Sequence, residues 1–327
     1  MATHPSRLLA LAIFAAVAVT AGASGWAKPP PAGDTAAQTE TPIDTVTVIG
    51  RRPMDQEMIR TVIAPFVKLH AARDRNSGLL VREAPAGVCP LTLGLPAAFD
   101  DFVTARIVSV ARSIAAPVQQ IGRCEPNVEV LFTGDPQSVV NGLARKTQGE
   151  ILGFHYVHEV QGLIHVSRPI QAWYITGTVG DPTSDARVVG AGGAHSHGRA
   201  IVDRARGPSP FTGTGSLLPP RNSSQIMNAL IVVDLRKVAG QQIGPISDYI
   251  AMLALSQAQS LDGCSPLPSI LDLMSAACPS RPSPQSLTDG DTAFLKALYA
   301  ADITTSATAA QSRVETGMAK GLDAPKP

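Results

Sequence analysis

Residues 97–133 read AAFDDFVTARIVSVARSIAAPVQQIGRCEPNVEVLFT, and this stretch decides the predicted fold. Its first half repeats apolar side chains at helical spacing, so we predict an amphipathic helix over 97–116. The segment 127–132 is rich in valine and ends in an aromatic residue, which predicts a strand. Asp135 can then cap a further helix that Pro136 opens and that runs to about residue 146.

The helix over 97–116 has two predicted faces. The core-facing side comprises Phe99, Phe102, Val103, Ile107, Val110 and Ile114, and the solvent-facing side comprises Asp100, Asp101, Arg106 and Arg112. A long helix that lies between strands is typical of a domain in which helices pack on a sheet.

The same criteria predict the remaining elements. We expect helices over 54–72, 244–261, 291–300 and 306–320, and strands over 154–157, 163–166, 170–178, 186–189 and 226–234. In the first helix Pro65 should introduce a kink, and the apolar face should carry Met58, Val62, Phe66 and Leu69. Trp173 and Tyr174 are neighbours on a strand, so one should face the core and the other solvent. The predicted fold class is α+β or mixed α/β, with a mixed sheet packed by several helices in one domain over 43–321 and a disordered tail over 322–327.

Residues 1–27 have the pattern of a cleavable secretory signal peptide. A short, positively charged start precedes an apolar run over 8–19, and small residues follow. Cleavage fits after Ala23 or after Ala27, and the second leaves a proline-rich mature end. A retained membrane anchor is the alternative, but the run is shorter than the roughly 20 residues that a spanning helix needs. We therefore expect the mature protein to be periplasmic or secreted.

Residues 28–42 are proline-rich and polar, which predicts a disordered linker. The following segment, DTVTVI at 44–49, alternates β-branched residues and predicts a short strand. It also resembles a TonB box, which would make the chain an energy-coupled envelope component. Because the rest of such a receptor does not follow, the strand is the favoured interpretation.

The formal net charge is +1, and 44% of the residues are apolar, which is normal for a globular core. Lysine and arginine are scattered along the chain, so the sequence predicts no nucleic-acid partner. It also predicts no stable membrane insertion, because no later stretch is long and apolar enough to span a bilayer.

Four cysteines follow the predicted signal peptide, and an even number in an exported chain favours disulfides. Three connectivities are possible. We favour Cys89 with Cys124 and Cys264 with Cys278, because each pair is local in the sequence. A structural zinc site would require C-x-x-C spacing, which none of these cysteines has.

Three stretches, RPIQAWYIT at 168–176, SDYIAMLA at 247–254 and FLKALY at 294–299, resemble an uncharacterised family of exported proteobacterial proteins, a domain of unknown function. That resemblance can cover most of 43–321, and it implies export without implying an activity. The predicted order of elements also resembles the layout of metzincin-type zinc peptidases.

Metzincins carry H-E-x-x-H on the helix that follows an apolar strand, where two imidazoles bind zinc and the glutamate activates water. The corresponding predicted helix, 245–261, contains neither histidine nor glutamate. The resemblance therefore implies a relative without the zinc site. Met274, which could match the methionine below the metal in that family, is interpreted as an ordinary core residue.

Four other histidines are candidate metal ligands. His155 and His158 lie in one predicted strand region, and His195 and His197 form an H-x-H pair whose side chains would share a face of a strand. The sequence shows no third ligand at a diagnostic spacing, so we predict no cofactor, with zinc at these histidines as the alternative. Neither a G-x-S-x-G nucleophile motif nor a nucleotide-binding glycine motif is present.

These observations predict an exported, non-catalytic binding or envelope-associated module that recognises a protein or peptide, with a degenerate peptidase-like fold. The alternative is a hydrolase with an unrecognised metal site that uses His195 and His197 or His155 and His158.

Overall fold

The computed structural model describes residues 56–73, 81–83, 86–146, 152–153, 160–180, 222–258 and 260–323, all within the compact unit Gly50–Pro327. The predicted signal peptide, the predicted linker 28–42, the segment 44–49, the two strands predicted at 154–157 and 186–189, and the predicted tail beyond residue 323 lie outside these residues. Among the described helices, none is long and apolar enough to cross a membrane.

One mixed sheet organises the described part of the chain. Its strands are β1 (Val81–Glu83), β2 (Pro90–Leu93), β3 (Val128–Thr133), β4 (Ile170–Gly180) and β5 (Asn222–Asp234). The long strand β5 is central: it pairs in parallel with β1 and β3 along one edge and antiparallel with β4 along the other. Strand β2 extends the parallel part by pairing with β3. The predicted α+β class with a mixed sheet is therefore confirmed.

The helices are α1 (residues 56–70), α2 (Ala97–Ser113), α3 (Pro136–Lys146), α4 (Val160–Leu163), α5 (Ile243–Leu255), a 3-10 helix (Ile270–Met274), α6 (Asp289–Ala300) and α7 (Ala307–Asp323). In α1 the segment Ile59–Ile63 is π-helical, with the Ala64 N–H bound to the Ile59 carbonyl. This wide turn lies just before Pro65, which has no N–H to donate. A π-helical segment thus precedes Pro65, where the sequence predicts a kink.

The apolar core lies mainly on one face of the sheet. There the buried side chains of β3 and β5 pack against α1, α2, α5, α6 and α7, with Phe66, Ile107, Ile250 and Phe294 at its centre. A smaller cluster covers the other face, and its members are Val140, Leu152, Trp173, Leu230 and Val232. Both faces of β5 are therefore buried, which matches its nearly continuous apolar sequence.

The predicted faces of α2 are partly wrong. Phe99 and Phe102 are 48% and 45% exposed, whereas Arg106 is directed at Asp248 of α5. These three α2 positions lie on one side of the helix, at the border of its apolar face. Periodicity cannot assign a border position, because the neighbouring helix decides whether that side meets a carboxylate or apolar groups. Met58 of α1 is likewise exposed, contrary to its predicted place on the apolar face.

One strand, one helix boundary and one orientation also differ from prediction. Residues 163–166 do not form a strand, because the side-chain amide of Gln137 binds both the Ile164 carbonyl and the Val166 N–H in place of a neighbouring strand. Helix α5 ends at Leu255 rather than near residue 261. Trp173 and Tyr174 are both covered, since each face of β4 packs on a part of the core.

Candidate functional site

Both disulfides favoured from the sequence are formed, Cys89–Cys124 and Cys264–Cys278. Closing loops of these lengths stabilises the folded state by roughly 3–4 kcal/mol each in the chain-entropy description. Disulfides of this kind are typical of proteins that fold in an oxidising compartment outside the cytoplasm. The second disulfide closes a loop in which Asp272 accepts hydrogen bonds from Ser265 and Ser269.

The predicted metal ligands His155, His158, His195 and His197 lie outside the described residues. Within the described ranges the histidines are His70, which is buried, and His165, which is exposed. Helix α5, which the predicted metzincin resemblance would match to a zinc-binding helix, is buried at every position from Pro245 to Leu255. It forms the centre of the core and does not line a cleft.

The acidic residue on α5, Asp248, is 2% exposed and binds a basic side chain from α2. Arg106 donates to the carboxylate from Nε and, at 3.0 Å, from Nη2. The Leu287 N–H donates to the same carboxylate at 3.0 Å. Asp248 is therefore a structural anchor between two helices and the segment before α6.

His70 of α1 meets Ser265 of the disulfide loop inside the core. Nε2 of His70 lies 3.1 Å from the Ser265 hydroxyl, the distance expected between a general base and a nucleophile. The two residues are separated by 195 positions in the chain, so no sequence pattern predicts the pair. Nδ1 of His70 has no hydrogen-bond partner among the described residues.

A carboxylate next to this pair organises the disulfide loop. Asp272 accepts hydrogen bonds from the Ser265 N–H at 3.1 Å and from the Ser269 N–H at 3.2 Å, and it binds Arg281 at 3.3 Å. In a serine hydrolase the carboxylate would bind the imidazole nitrogen that faces away from the nucleophile. Asp272 instead binds backbone groups, so the three residues do not form a triad.

The pair is also sealed from solvent. His70 is 1% exposed and Ser265 is 2% exposed, and the imidazole packs against the ring of Phe66 at a centroid distance of 4.3 Å. Burial lowers the pKa of His70 to about 4, although the charge of Asp272 acts against this change. The imidazole is therefore neutral near pH 7 and enclosed by core side chains.

Cys264, Asp272 and Cys278 place their ligand atoms within 4.8 Å of one another, the spacing of a metal site. Both sulfurs are bonded in the disulfide and carry no thiolate charge, which metal binding requires. In the oxidised protein this cluster is therefore a loop closure rather than a metal centre.

The neutral state of His70 predicts a specific loss of stability in acid. The unfolded chain takes up a proton at the ordinary histidine pKa near 6.5, whereas the folded chain does so only near 4. Protons thus bind the unfolded state preferentially as the pH falls through this window. We expect about 3 kcal/mol of unfolding free energy to be lost between pH 7 and pH 4 from this residue.

The measurement is urea unfolding at several pH values for the wild type and for His70→Gln. Glutamine can still hydrogen-bond the Ser265 hydroxyl but does not titrate. The variant should show a shallower pH dependence by the stated amount, whatever its absolute stability. Equal pH slopes for the two proteins would contradict the assignment.

The open candidate site is a groove of about 500 Å³ between the end of α1 and α7, which we call the polar groove. Its lining residues are Lys68, Ala71, Arg73, Thr308, Gln311, Ser312 and Glu315. The α7 members recur at helical spacing, and the opposite side of α7 buries Ala310, Val314 and Met318 in the core. The groove therefore rests on a rigid element.

The polar groove carries an ordered chain of hydrogen bonds. Arg73 donates to the side-chain oxygen of Gln311 at 2.6 Å, and the Gln311 amide donates to Glu315 at 3.0 Å. Lys68 is exposed and has no partner among the described residues. With two cations and one carboxylate, the groove has a net positive charge and free donors.

The groove lacks the arrangement of a catalytic site in its described residues. The hydroxyls of Thr308 and Ser312 have no hydrogen-bonded general base there, and no imidazole or thiol lines the groove. A nucleophilic mechanism requires such a base within hydrogen-bond distance. The groups present can bind and orient an anionic ligand.

Comparisons with known proteins give no further assignment, since neither a family model, a curated protein nor a solved structure matches the chain. The candidate site therefore rests on its own geometry. Sequence reasoning missed both Lys68 and Arg73, because the α7 residues that complete the groove lie more than 230 positions later in the chain.

Proposed function

We propose that this protein is a non-catalytic binding module of the bacterial envelope or extracellular space, and that it recognises an acidic segment of a protein or peptide in the polar groove. The proposal rests on a difference in accessibility between the two polar sites of the described fold. The groups with catalytic potential, His70 and Ser265, are sealed in the core. The accessible groove offers charges and amides without a nucleophile that a base activates.

The charge of the groove determines the ligand class. Lys68 and Arg73 supply two cations, and Gln311 holds Glu315 and Arg73 in one hydrogen-bonded chain. A carboxylate on the ligand gains charge-assisted hydrogen bonds from Lys68 and from the remaining guanidinium donors of Arg73. Export through the N-terminal signal peptide, with formation of both disulfides in the oxidising compartment, completes the proposal.

Reversing the charge of Lys68 tests this assignment. We expect a tetraglutamate peptide to bind weakly and saturably, with nuclear magnetic resonance shifts concentrated at the groove, and Lys68→Glu to weaken binding about tenfold. Glu315→Gln should strengthen binding, because it removes the carboxylate that repels the ligand. The dissociation constant should rise with salt, since exposed charges are screened.

Lys296→Glu is the matched control, because Lys296 is an exposed lysine of α6 that does not line the groove. It should leave the binding of tetraglutamate unchanged. Tetralysine should produce no saturable shifts. The proposal fails if Lys68→Glu and Lys296→Glu weaken binding equally, or if the shifts are spread over the whole surface.

A further inference from the structure

A second groove, of about 510 Å³, lies on the solvent side of α2. We call it the α2 groove, and its lining residues are Asp101, Thr104, Ala105, Val108, Ser109, Arg112 and Ile121. It is separate from the polar groove and contains none of its residues. Ala105, Val108 and Ile121 make part of it apolar, and Thr104 and Ser109 contribute hydroxyl groups. Asp101 and Arg112 place opposite charges at its two ends.

Helical geometry places the charges in line. Asp101, Ala105, Val108 and Arg112 follow one another at spacings of four, three and four residues, so they form one row along the helix surface. At 1.5 Å per residue the two charged positions are about 16 Å apart. Neither the Asp101 side chain nor the Arg112 side chain has a hydrogen-bond or ion-pair partner among the described residues. Two exposed opposite charges are thus left without partners at the two ends of one row.

This charge pattern is complementary to itself when the helix direction is reversed. A two-fold axis through the middle of the row sets Asp101 opposite the partner's Arg112, and the same operation repeats the contact on the other side. Thr104 then lies opposite the partner's Ser109, and Ala105 opposite the partner's Val108. The short side chains in the middle allow two helices to approach closely.

Ile121 supplies the apolar contact that such an interface needs. It is 41% exposed and borders the α2 groove. The loop that contains Ile121 is fixed by the Cys89–Cys124 disulfide to the residue just before β2. Ile121 can therefore pack on the helix of a second molecule without ordering a mobile loop.

We propose that two copies of this chain form a symmetric dimer through antiparallel packing of their α2 helices at the α2 groove. An unrelated partner would need the matching pair of charges at the same spacing, whereas a second copy carries it already. The inference does not depend on the polar groove or on the proposed ligand.

Charge reversal with exchange between chains tests the proposal. Wild-type full chain should dimerise in a concentration-dependent way by sedimentation velocity. Asp101→Arg and Arg112→Asp should each weaken self-association about tenfold or more, because each places like charges in contact twice. A one-to-one mixture of the two variants should dimerise again. In the mixed pair one chain contributes two arginines and the other two aspartates, so both contacts become attractive.

The control is Asp262→Arg, which reverses an exposed acidic side chain outside the groove and should leave self-association unchanged. The dimer is refuted if the wild type stays monomeric up to its solubility limit, or if the mixture associates no better than either variant alone. Weakened association by both variants without recovery on mixing would show a non-symmetric interface and would also overturn the proposal. Circular dichroism of each variant establishes that the fold is retained.

Discussion

Asp291→Ala is expected to lower the free energy of unfolding by about 3–5 kcal/mol, one of the largest effects of any single substitution in the described fold. The Asp291 side chain is completely buried at the start of α6. It accepts hydrogen bonds from the Ser269 hydroxyl at 2.6 Å, the Ile270 N–H at 2.7 Å and the Thr288 N–H at 2.9 Å. Alanine would remove the acceptor of these three donors, two of which are fully buried.

Burying the Asp291 carboxylate is unfavourable, and this is seen in the direction of its pKa change. Burial raises the pKa of Asp291, and its hydrogen bonds act in the opposite direction. The carboxylate is retained because it joins the cap of α6 to the cap of the 3-10 helix Ile270–Met274, and both caps have the capping-box arrangement. The Asp291 side chain thus connects the disulfide loop to α6.

Urea unfolding with the disulfides intact measures the effect. Asp291→Asn should lose less than alanine, since it keeps the side-chain shape and one acceptor oxygen. The control is Asp289→Ala, an exposed acidic residue in the same first helical turn, which should cost less than about 1 kcal/mol. The assignment is wrong if the two alanine variants are equally stable.

The second large effect is expected for Arg106→Met, with a loss of about 3–5 kcal/mol. The substitution leaves the carboxylate of Asp248, which is 2% exposed, with the Leu287 N–H as its remaining donor among the described residues. Removing the other partner by Asp248→Leu should lower the free energy of unfolding by less than Arg106→Met does. The Arg106 side chain is 39% exposed and can turn to water when its partner is removed.

A double-mutant cycle measures the interaction energy between Arg106 and Asp248 apart from the contacts that each makes with other residues. Arg106→Met with Asp248→Leu removes both charges and should be closer to the wild type than Arg106→Met alone, because no buried charge remains. Arg168→Met serves as the matched control, since it breaks an exposed ion pair with Asp262 and should cost less than about 1 kcal/mol. Additive effects of the two substitutions at the buried pair would contradict this account.

Much of the architecture was predictable from local sequence. The helices at α2, α6 and α7 and the strands β3 and β5 occur where periodicity and β-branched runs predict them. Strands β1 and β2 were not predicted, because each is very short and its identity depends on a partner strand. The strand predicted at 163–166 was wrong for a related reason: Gln137, from another element, satisfies the backbone groups there.

The candidate sites were less predictable than the fold. The polar groove joins Lys68 and Arg73 to α7, and the pair of His70 and Ser265 is just as distant in the chain. No motif connects such positions, because their side chains meet only when the helices pack. The α2 groove had one visible signal, the polar positions Asp101 and Arg112, which the sequence assigned correctly to the solvent side.

The sequence by itself determined which segments form the main helices and strands, and its even number of local cysteines predicted the disulfides that are formed. These properties follow from interactions between neighbours along the chain, whose geometry repeats in every helix and strand. Tertiary structure decided that Phe99 and Phe102 face solvent, that Asp248 and Asp291 are buried anchors, and that the accessible charges meet between α1 and α7. The physical reason is that burial and pairing depend on what packs opposite a residue, and the opposite residue belongs to a distant part of the chain.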